Sequence, residues 1–369
     1  SQAKYLEKSR LSCLDPKLIM NDNYTNISDQ KFGLKNEGLF IIAEIAQAHD
    51  GSLGTAHAYI DAVSETGVDA IKFQTHIAHA ESTLDEQWRV NFSYQDNTRY
   101  NYWERMSFTQ EQWKGLAQHA TDKGLEFMSS PFSIEAVEML TNIGVKCWKV
   151  ASGEIYNPEL LEAIWKTKLP VLYSSGMSTM RELDRVINQT KLLGIPYGVF
   201  QCSSIYPTPP EFWGLKTITK LREKYRCPVG LSDHSGGAYA TYASIALGAQ
   251  MIELHAVFSR YAFGPDVKSS VTIEELKAIV DGARMIKFSL ESGLEKDDIA
   301  THTSSLKVNF GRSLALNKSL IAGTQLKKED LTLKKPGSGI AYKYIDRVIG
   351  KKLLCDVNSN RLIKWEDFN

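Results

Sequence analysis

The sequence predicts a (β/α)₈ barrel followed by a small turn-rich module. Three observations predict it: eight short apolar runs recur from residue 39, amphipathic stretches separate them, and no G-x-G-x-x-G turn follows the first run, which argues against an open doubly wound sheet.

The runs cover residues 39–44, 70–73, 125–128, 147–150, 171–174, 197–202, 229–232 and 251–255. Each is short and apolar, as expected of parallel strands buried on both faces. Residues 55–65, 109–122, 134–140, 181–193 and 273–290 carry apolar side chains at helical spacing. Gly67, Gly124, Gly144 and Gly194 each close such a stretch, where a left-handed C-cap would turn the chain into the next strand. The barrel is expected over residues 39–292, after an extension of residues 1–38 that is polar and weakly periodic. Residues 293–305 are polar without a period and read as a linker. Residues 306–369 form the small module, with apolar runs at 313–316 and 331–333 between Gly323, Pro336-Gly337-Ser338-Gly339 and Gly350.

Composition narrows the function. Lys plus Arg number 43 and Asp plus Glu 43, so the basic surplus of a nucleic-acid binder is missing. Five cysteines, Cys13, Cys147, Cys202, Cys227 and Cys355, are scattered and never form C-x-x-C, which argues against a disulfide scaffold or structural zinc. Neither a run of 18 apolar residues nor a basic-then-apolar leader is present, so a cytoplasmic protein is expected. A chain that starts at Ser1 is expected to carry a processed end.

In such a barrel the chemistry sits where strands end at their C-terminal side, and here those positions are polar. In strand order they carry Glu44; Lys72, Gln74 and His76; Ser129-Ser130; Lys149 with Ser152 and Glu154; Ser174-Ser175; Cys202-Ser203-Ser204 with Tyr206; Ser232-Asp233-His234; and Glu253 with His255. Two lysines ringed by small hydroxyl residues suit a phosphate or carboxylate group. His234 and His255 close neighbouring strands, an arrangement for a divalent metal with open coordination positions; His49 and His76 are weaker partners. Glu44 and Glu154 are acid/base candidates beside the lysines.

The ordered motifs resemble those of the sialic acid (N-acetylneuraminate) synthases and their bacterial relatives that make legionaminic and pseudaminic acids. The matching elements are Ala43-Glu44-Ile45, His49-Asp50-Gly51, Lys72-Phe73-Gln74-Thr75-His76, Ser129-Ser130-Pro131-Phe132 and Lys149-Val150-Ala151-Ser152-Gly153-Glu154. They continue with Ser174-Ser175-Gly176-Met177, Cys202-Ser203-Ser204-Ile205-Tyr206-Pro207, Gly230-Leu231-Ser232-Asp233-His234, Glu253-Leu254-His255 and Gly264-Pro265-Asp266. The tail Lys334-Lys335-Pro336-Gly337 resembles the family's C-terminal antifreeze-like (SAF) domain.

The resemblance implies a TIM barrel that condenses phosphoenolpyruvate with the open-chain aldehyde of an N-acetylated hexosamine, N-acetylmannosamine or a 2,4-diacetamido-trideoxyhexose. It implies that Lys72, Ser130, Lys149, Ser152, Ser174 and Ser232 hold phosphoenolpyruvate, and that Gln74, Ser204, Tyr206, Asp266 and Lys335 face the sugar. His234 and His255 match ligands of Mn²⁺ or Mg²⁺, and Glu44, Glu154, Lys72 and Lys149 match catalytic positions. A homodimer is implied, its antifreeze-like domains swapped so that each covers the partner's site. Lys335 stands where the family has Arg, Ala48 where it has Asn, and Ser204 where some members have Asn. Two rival readings predict otherwise: a Schiff-base aldolase would use Lys149 or Lys72 without metal, and a non-catalytic carbohydrate-binding protein would need neither lysines nor histidines at strand ends. On the family reading Lys72, Lys149 and Lys335 converge with a metal on one locally positive mouth while the compensating acids lie mostly elsewhere.

Overall fold

The computed structural model describes residues 38–368. The extension expected over residues 1–38 therefore lies outside the described residues, apart from Gly38. Two compact units divide the chain at Glu291/Ser292.

The first unit is the barrel. Its strands are β1 (Phe40–Ala46), β2 (Ala70–Thr75), β3 (Glu126–Pro131), β4 (Trp148–Val150), β5 (Val171–Ser174), β6 (Tyr197–Cys202), β7 (Val229–Asp233) and β8 (Met251–Val257). They form one parallel sheet in the order β3-β2-β1-β8-β7-β6-β5-β4, with β1 paired to β8; β3 and β4 lie side by side without a ladder, so the ring is nearly closed. A two-residue strand β9 (Val271–Thr272) pairs parallel to the end of β8.

Local chemistry sets the helices between strands. Thr109 and Gln112 make a reciprocal capping box at the start of Gln110–Asp122, and Thr179 with Glu182 does the same for Met180–Leu192. Asn157 caps Pro158–Lys166, where Pro at the first turn lacks only an N–H that has no helical partner anyway. Gly144 ends Ile134–Ile143 with φ of 92°, a left-handed cap that a side chain would strain.

Side chains alternate along each strand, and this period of two divides the barrel into layers. The outward set, among it Ile41, Ile71, Trp148, Val199 and Ile252, packs under the helices. The inward set begins with Phe40, Ile42, Ala70, Met128, Cys147, Leu172, Phe200 and Met251, a buried apolar cluster that fills the lower interior. Gly198 and Gly230 leave room for it: a methyl on either would come within 2.9 Å of Met251. One inward step above Ile42, Ala70, Met128, Cys147, Leu172 and Met251, the residues are polar.

The second unit pairs β10 (Ser313–Leu316) antiparallel to β11 (Leu331–Lys334) and has its own core around Leu314, Leu316, Val348, Val357 and Ile363. Ser313 knits its turns, donating to Pro336 O and accepting from Gly339 N, each at 2.8 Å. The stretch read as a linker, residues 293–305, is largely helical: it carries Lys296–His302 and the start of Ser304–Phe310, which runs on into the stretch read as the small module. Neither helix buries a residue, so the sequence carries no apolar stripe to announce them. Among the described residues no helix is long and apolar enough to cross a membrane, and Cys147, Cys202, Cys227 and Cys355 are free thiols.

Candidate active site

Continuing the inward phase upward from Ile42, Ala70, Met128, Cys147, Leu172 and Met251 gives Glu44, Lys72, Ser130, Lys149, Ser174 and Glu253, all buried. These residues line one cavity at the strand ends, together with Gln74, Ser152, Cys202, Tyr206, Ser232, His234 and His255. The alternation of eight short strands thus brings residues 211 positions apart, Glu44 and His255, into register on paired strands.

At its centre two lysines share two carboxylates. Lys72 is in ion contact with Glu44 and lies 3.8 Å from Glu253; Lys149 is 3.2 Å from Glu253. Each lysine also donates to a serine, Lys72 to Ser130 at 3.3 Å and Lys149 to Ser174 at 2.5 Å. Ser232 donates to Glu253 at 3.0 Å. Burial and the neighbouring Glu253 raise the Glu44 carboxyl to about 7, against the pull of Lys72. Burial works the same way on Glu253, but Lys149 and Lys72 outweigh it and hold that carboxyl below its usual range. Burial opposes the charge on Lys72 as well, yet Glu253 and Glu44 raise it above the ordinary lysine value. The expected separation of charges is corrected here: the compensating acids stand in the mouth itself, because the inward phases of β1 and β8 deliver Glu44 and Glu253 to the level of the lysines.

His234 and His255 meet edge to face, ring centroids 5.3 Å apart, and Tyr206 stacks on His234 at 4.3 Å. Burial lowers both imidazoles, His234 to about 4, so each is neutral near pH 7. His234 Nδ1 lies 2.8 Å from the Ser203 carbonyl and so carries the proton, which leaves the lone pair on Nε2 beside Ser232. His234, held in one tautomer, and the neighbouring neutral His255, with the Glu253 Oε2 buried and without a hydrogen-bond donor, could offer ligands to a divalent cation. Among the described residues no set of three or more His, Cys, Asp or Glu groups is arranged to hold an ion, so most coordination positions would be left to water or substrate.

Around this centre the sugar candidates separate. Gln74 donates to Glu44 Oε1 at 3.1 Å, and its own oxygen accepts from Gln47 at 2.7 Å. Ser152 and Ser204 pair through their hydroxyls at 3.0 Å. Asp266 lies further out, in a vestibule with Tyr206, Trp88, Phe92 and Tyr102, where it accepts from Arg89 at 2.7 Å. Lys335 belongs to the second unit, its ammonium 5.2 Å from the centre of the Phe310 ring.

Glu154 is not beside the lysines. β4 ends at Val150, and the tight 3₁₀ turn Ser152–Tyr156 carries Glu154 to a neighbouring cleft with Glu81 and His76, where its Oε2 accepts from Asn157 at 2.9 Å. Burial raises its carboxyl above the usual range. His76 is sandwiched between Trp103 and Phe132, with Nδ1 2.5 Å from Glu81 and Nε2 3.2 Å from Gln74. His49 lies behind the barrel mouth against Phe108, accepting from Gly51 N, and burial lowers it to about 3. Two residues given no role from sequence belong to the site: Glu253, which the inward phase of β8 identifies, and Arg89, which lies in a stretch without a period.

Comparison with known proteins agrees with this geometry. Residues 59–295 match the NeuB family and residues 311–369 the SAF domain. The chain is 32% identical to the N,N'-diacetyllegionaminic acid synthase of Legionella pneumophila, over 90% of this chain and 97% of that protein. It is 33% identical to a pseudaminic acid synthase of Campylobacter jejuni, over 89% and 96% respectively. The N-acetylneuraminic acid (sialic acid) synthetase of Leptospira borgpetersenii, solved with citrate, superimposes with a TM-score of 0.65 at 29% identity, covering 73% of this chain and 91% of that one. With a family match across most of the barrel, relatives matched nearly end to end and a SAF domain behind it, the chain belongs to the NeuB family.

Proposed function

We propose that this chain condenses phosphoenolpyruvate with the open-chain aldehyde of an N-acetylated amino sugar, N-acetylmannosamine or a 2,4-diacetamido-trideoxyhexose, giving a nine-carbon 2-keto acid and phosphate. The observation that carries it is the seat in which Lys72, Lys149, Ser130 and Ser174 converge beside two neutral imidazoles. Relatives named as legionaminic and pseudaminic acid synthases support the same class of product.

The seat supplies cationic and hydroxyl donors for the phosphate and carboxylate of phosphoenolpyruvate, with Ser152 and Ser232 at its edge. The enol carbon bonds to the aldehyde carbon, and the aldehyde oxygen takes up a proton. Water adds at the carbon bearing phosphate, and cleavage of its C–O bond leaves inorganic phosphate and the ketone. Glu44, raised to about 7, exchanges a proton near neutral pH and orients the water. Gln74 fixes the Glu44 carboxyl and, with Ser204, Tyr206 and Asp266, faces the acceptor. Glu253 helps keep Lys72 charged. Glu154 borders the acceptor side and acts on the sugar hydroxyls or aldehyde oxygen from there. His234 and His255 would hold Mn²⁺ or Mg²⁺, which when bound supplies a Lewis acid for the aldehyde oxygen. The SAF domain of a second copy, with Lys335, would cover the mouth and keep stray water out.

A Schiff base at Lys72 fits less well, since nucleophilic lysines need a lowered pKa and Lys72 is raised. A phosphate-release assay with phosphoenolpyruvate and a panel of sugars tests the proposal. Release that needs both substrates, stops with EDTA and leaves no borohydride-trapped adduct is expected; no phosphate with any aldehyde would refute it.

A further inference from the structure

We propose that Arg89 determines acceptor specificity, by holding the acyl oxygen of an acetamido group in the vestibule above the lysine seat. The assignment rests on the condensation proposed above.

Arg89 sits between the helices Ala78–Glu81 and Arg99–Met106, on a segment that leaves β2 and folds over the mouth. Its guanidinium carbon stands 4.5 Å from the centre of the Tyr206 ring, and Nη2 donates to Asp266 at 2.7 Å and to the Pro265 carbonyl at 3.3 Å. A ring face, a carboxylate and a carbonyl thus fix one orientation of a side chain that is otherwise 40% exposed. Among the described residues no hydrogen bond uses its Nε or Nη1, so part of the fork is open to a ligand.

Charge decides what that ligand is. Asp266 already neutralises Arg89, and the two lysines proposed above to receive the anionic substrate lie deeper, with Glu44 and Glu253 beside them. Arg89 therefore offers strong donors without surplus positive charge, which suits a neutral carbonyl oxygen better than a carboxylate or phosphate. The surrounding wall is aromatic: Trp88, Phe92, Tyr102, Trp103 and Phe132 line the same vestibule. Flat apolar faces take the methyl and the plane of an acylamide, while the guanidinium takes its oxygen. A plain hexose offers only hydroxyls and leaves that wall unfilled.

The test compares the full-length chain with R89A and R89K, using N-acetylmannosamine, a 2,4-diacetamido-trideoxyhexose and mannose. Phosphate release gives kcat/KM for each sugar and KM for phosphoenolpyruvate, and saturation-transfer NMR reports binding of the acetyl methyl. We expect R89A to lower kcat/KM for the acetamido sugars about 10- to 100-fold, the size of one charge-assisted hydrogen bond, through acceptor KM. KM for phosphoenolpyruvate should stay within twofold of wild type, the loss for mannose should be smaller than the loss for the acetamido sugars, and R89K should recover little. Equal losses for acetamido sugars and mannose would reduce Arg89 to a brace for the Asp266 loop and overturn the proposal, as would no loss at all. Should the wild type release no phosphate yet bind the acetyl groups in an Arg89-dependent way, the Arg89 assignment stands and the condensation falls. Binding of neither sugar by the wild type overturns both.

Discussion

Glu253 stands between two lysines, one carboxylate oxygen 3.2 Å from the Lys149 ammonium and the other 3.8 Å from that of Lys72. A buried pair gains little over an apolar replacement, but removing one partner strands the other charge. Glu253→Gln is expected to cost roughly 3–5 kcal/mol in urea unfolding. Because phosphoenolpyruvate would bring its own negative charge to the stranded lysines, it should raise Tm more in the variant than in wild type. Equal ligand shifts in the two proteins would refute a shared role of Glu253 and substrate at the lysines.

Lys149→Ala and Lys72→Ala should weaken phosphoenolpyruvate binding by at least tenfold each, on the order of 1.5–3 kcal/mol for hydrogen bonds to a charged group. Titration calorimetry with phosphoenolpyruvate checks this. Affinity unchanged in both variants would remove the anion seat from the proposal.

The lowered values of His234 and His255 bear on metal affinity. An ordinary histidine, titrating near 6.5, loses metal to protons as the pH falls below 7. Here burial lowers both rings, His234 to about 4, so Mn²⁺ binding is expected to weaken less between pH 8 and pH 6 than it would at ordinary histidines. His234→Ala and His255→Ala should each abolish it, as read by calorimetry or by the electron paramagnetic resonance of free Mn²⁺. Full affinity in either variant would show that the ion sits elsewhere.

Glu44 makes stability depend on pH in the direction opposite to a paired carboxylate. Its folded value is raised from 4.5 to about 7, so between those limits the folded chain keeps a proton that the unfolded chain has released. Stability from this group therefore falls as pH rises through that window. Glu44→Gln should flatten the difference in unfolding free energy measured at pH 5 and pH 7.5, and should lower turnover far more than Glu154→Gln, whose carboxyl lies in the outer cleft. Identical pH slopes for wild type and Glu44→Gln would contradict the raised value.

How much of this was legible in the sequence depended on period. The inward positions 42 and 44, 70 and 72, 128 and 130, and 251 and 253 follow from strand alternation alone, so most of the inner site can be counted off once the runs are found. Glu154 could not be, because it follows a strand of only three residues and rides on a 3₁₀ turn that changes the phase. Arg89 could not be, because its place is set by Tyr206 and Asp266, well over 100 residues along the chain. The helices over residues 296–310 were missed for a third reason: a helix with no buried face owes nothing to apolar spacing.

The apolar layer of Phe40, Ile42, Ala70, Met128, Cys147, Leu172, Phe200 and Met251 closes the barrel from below, so the lysine seat is the foot of a blind shaft. Traffic in a blind shaft is last in, first out. On the proposed reaction, phosphoenolpyruvate has to enter before the sugar, and whatever occupies the foot leaves after the product above it. Steady-state kinetics should therefore be ordered, with the sugar unable to bind productively ahead of phosphoenolpyruvate; random-order patterns would mean that the foot of the barrel has another door.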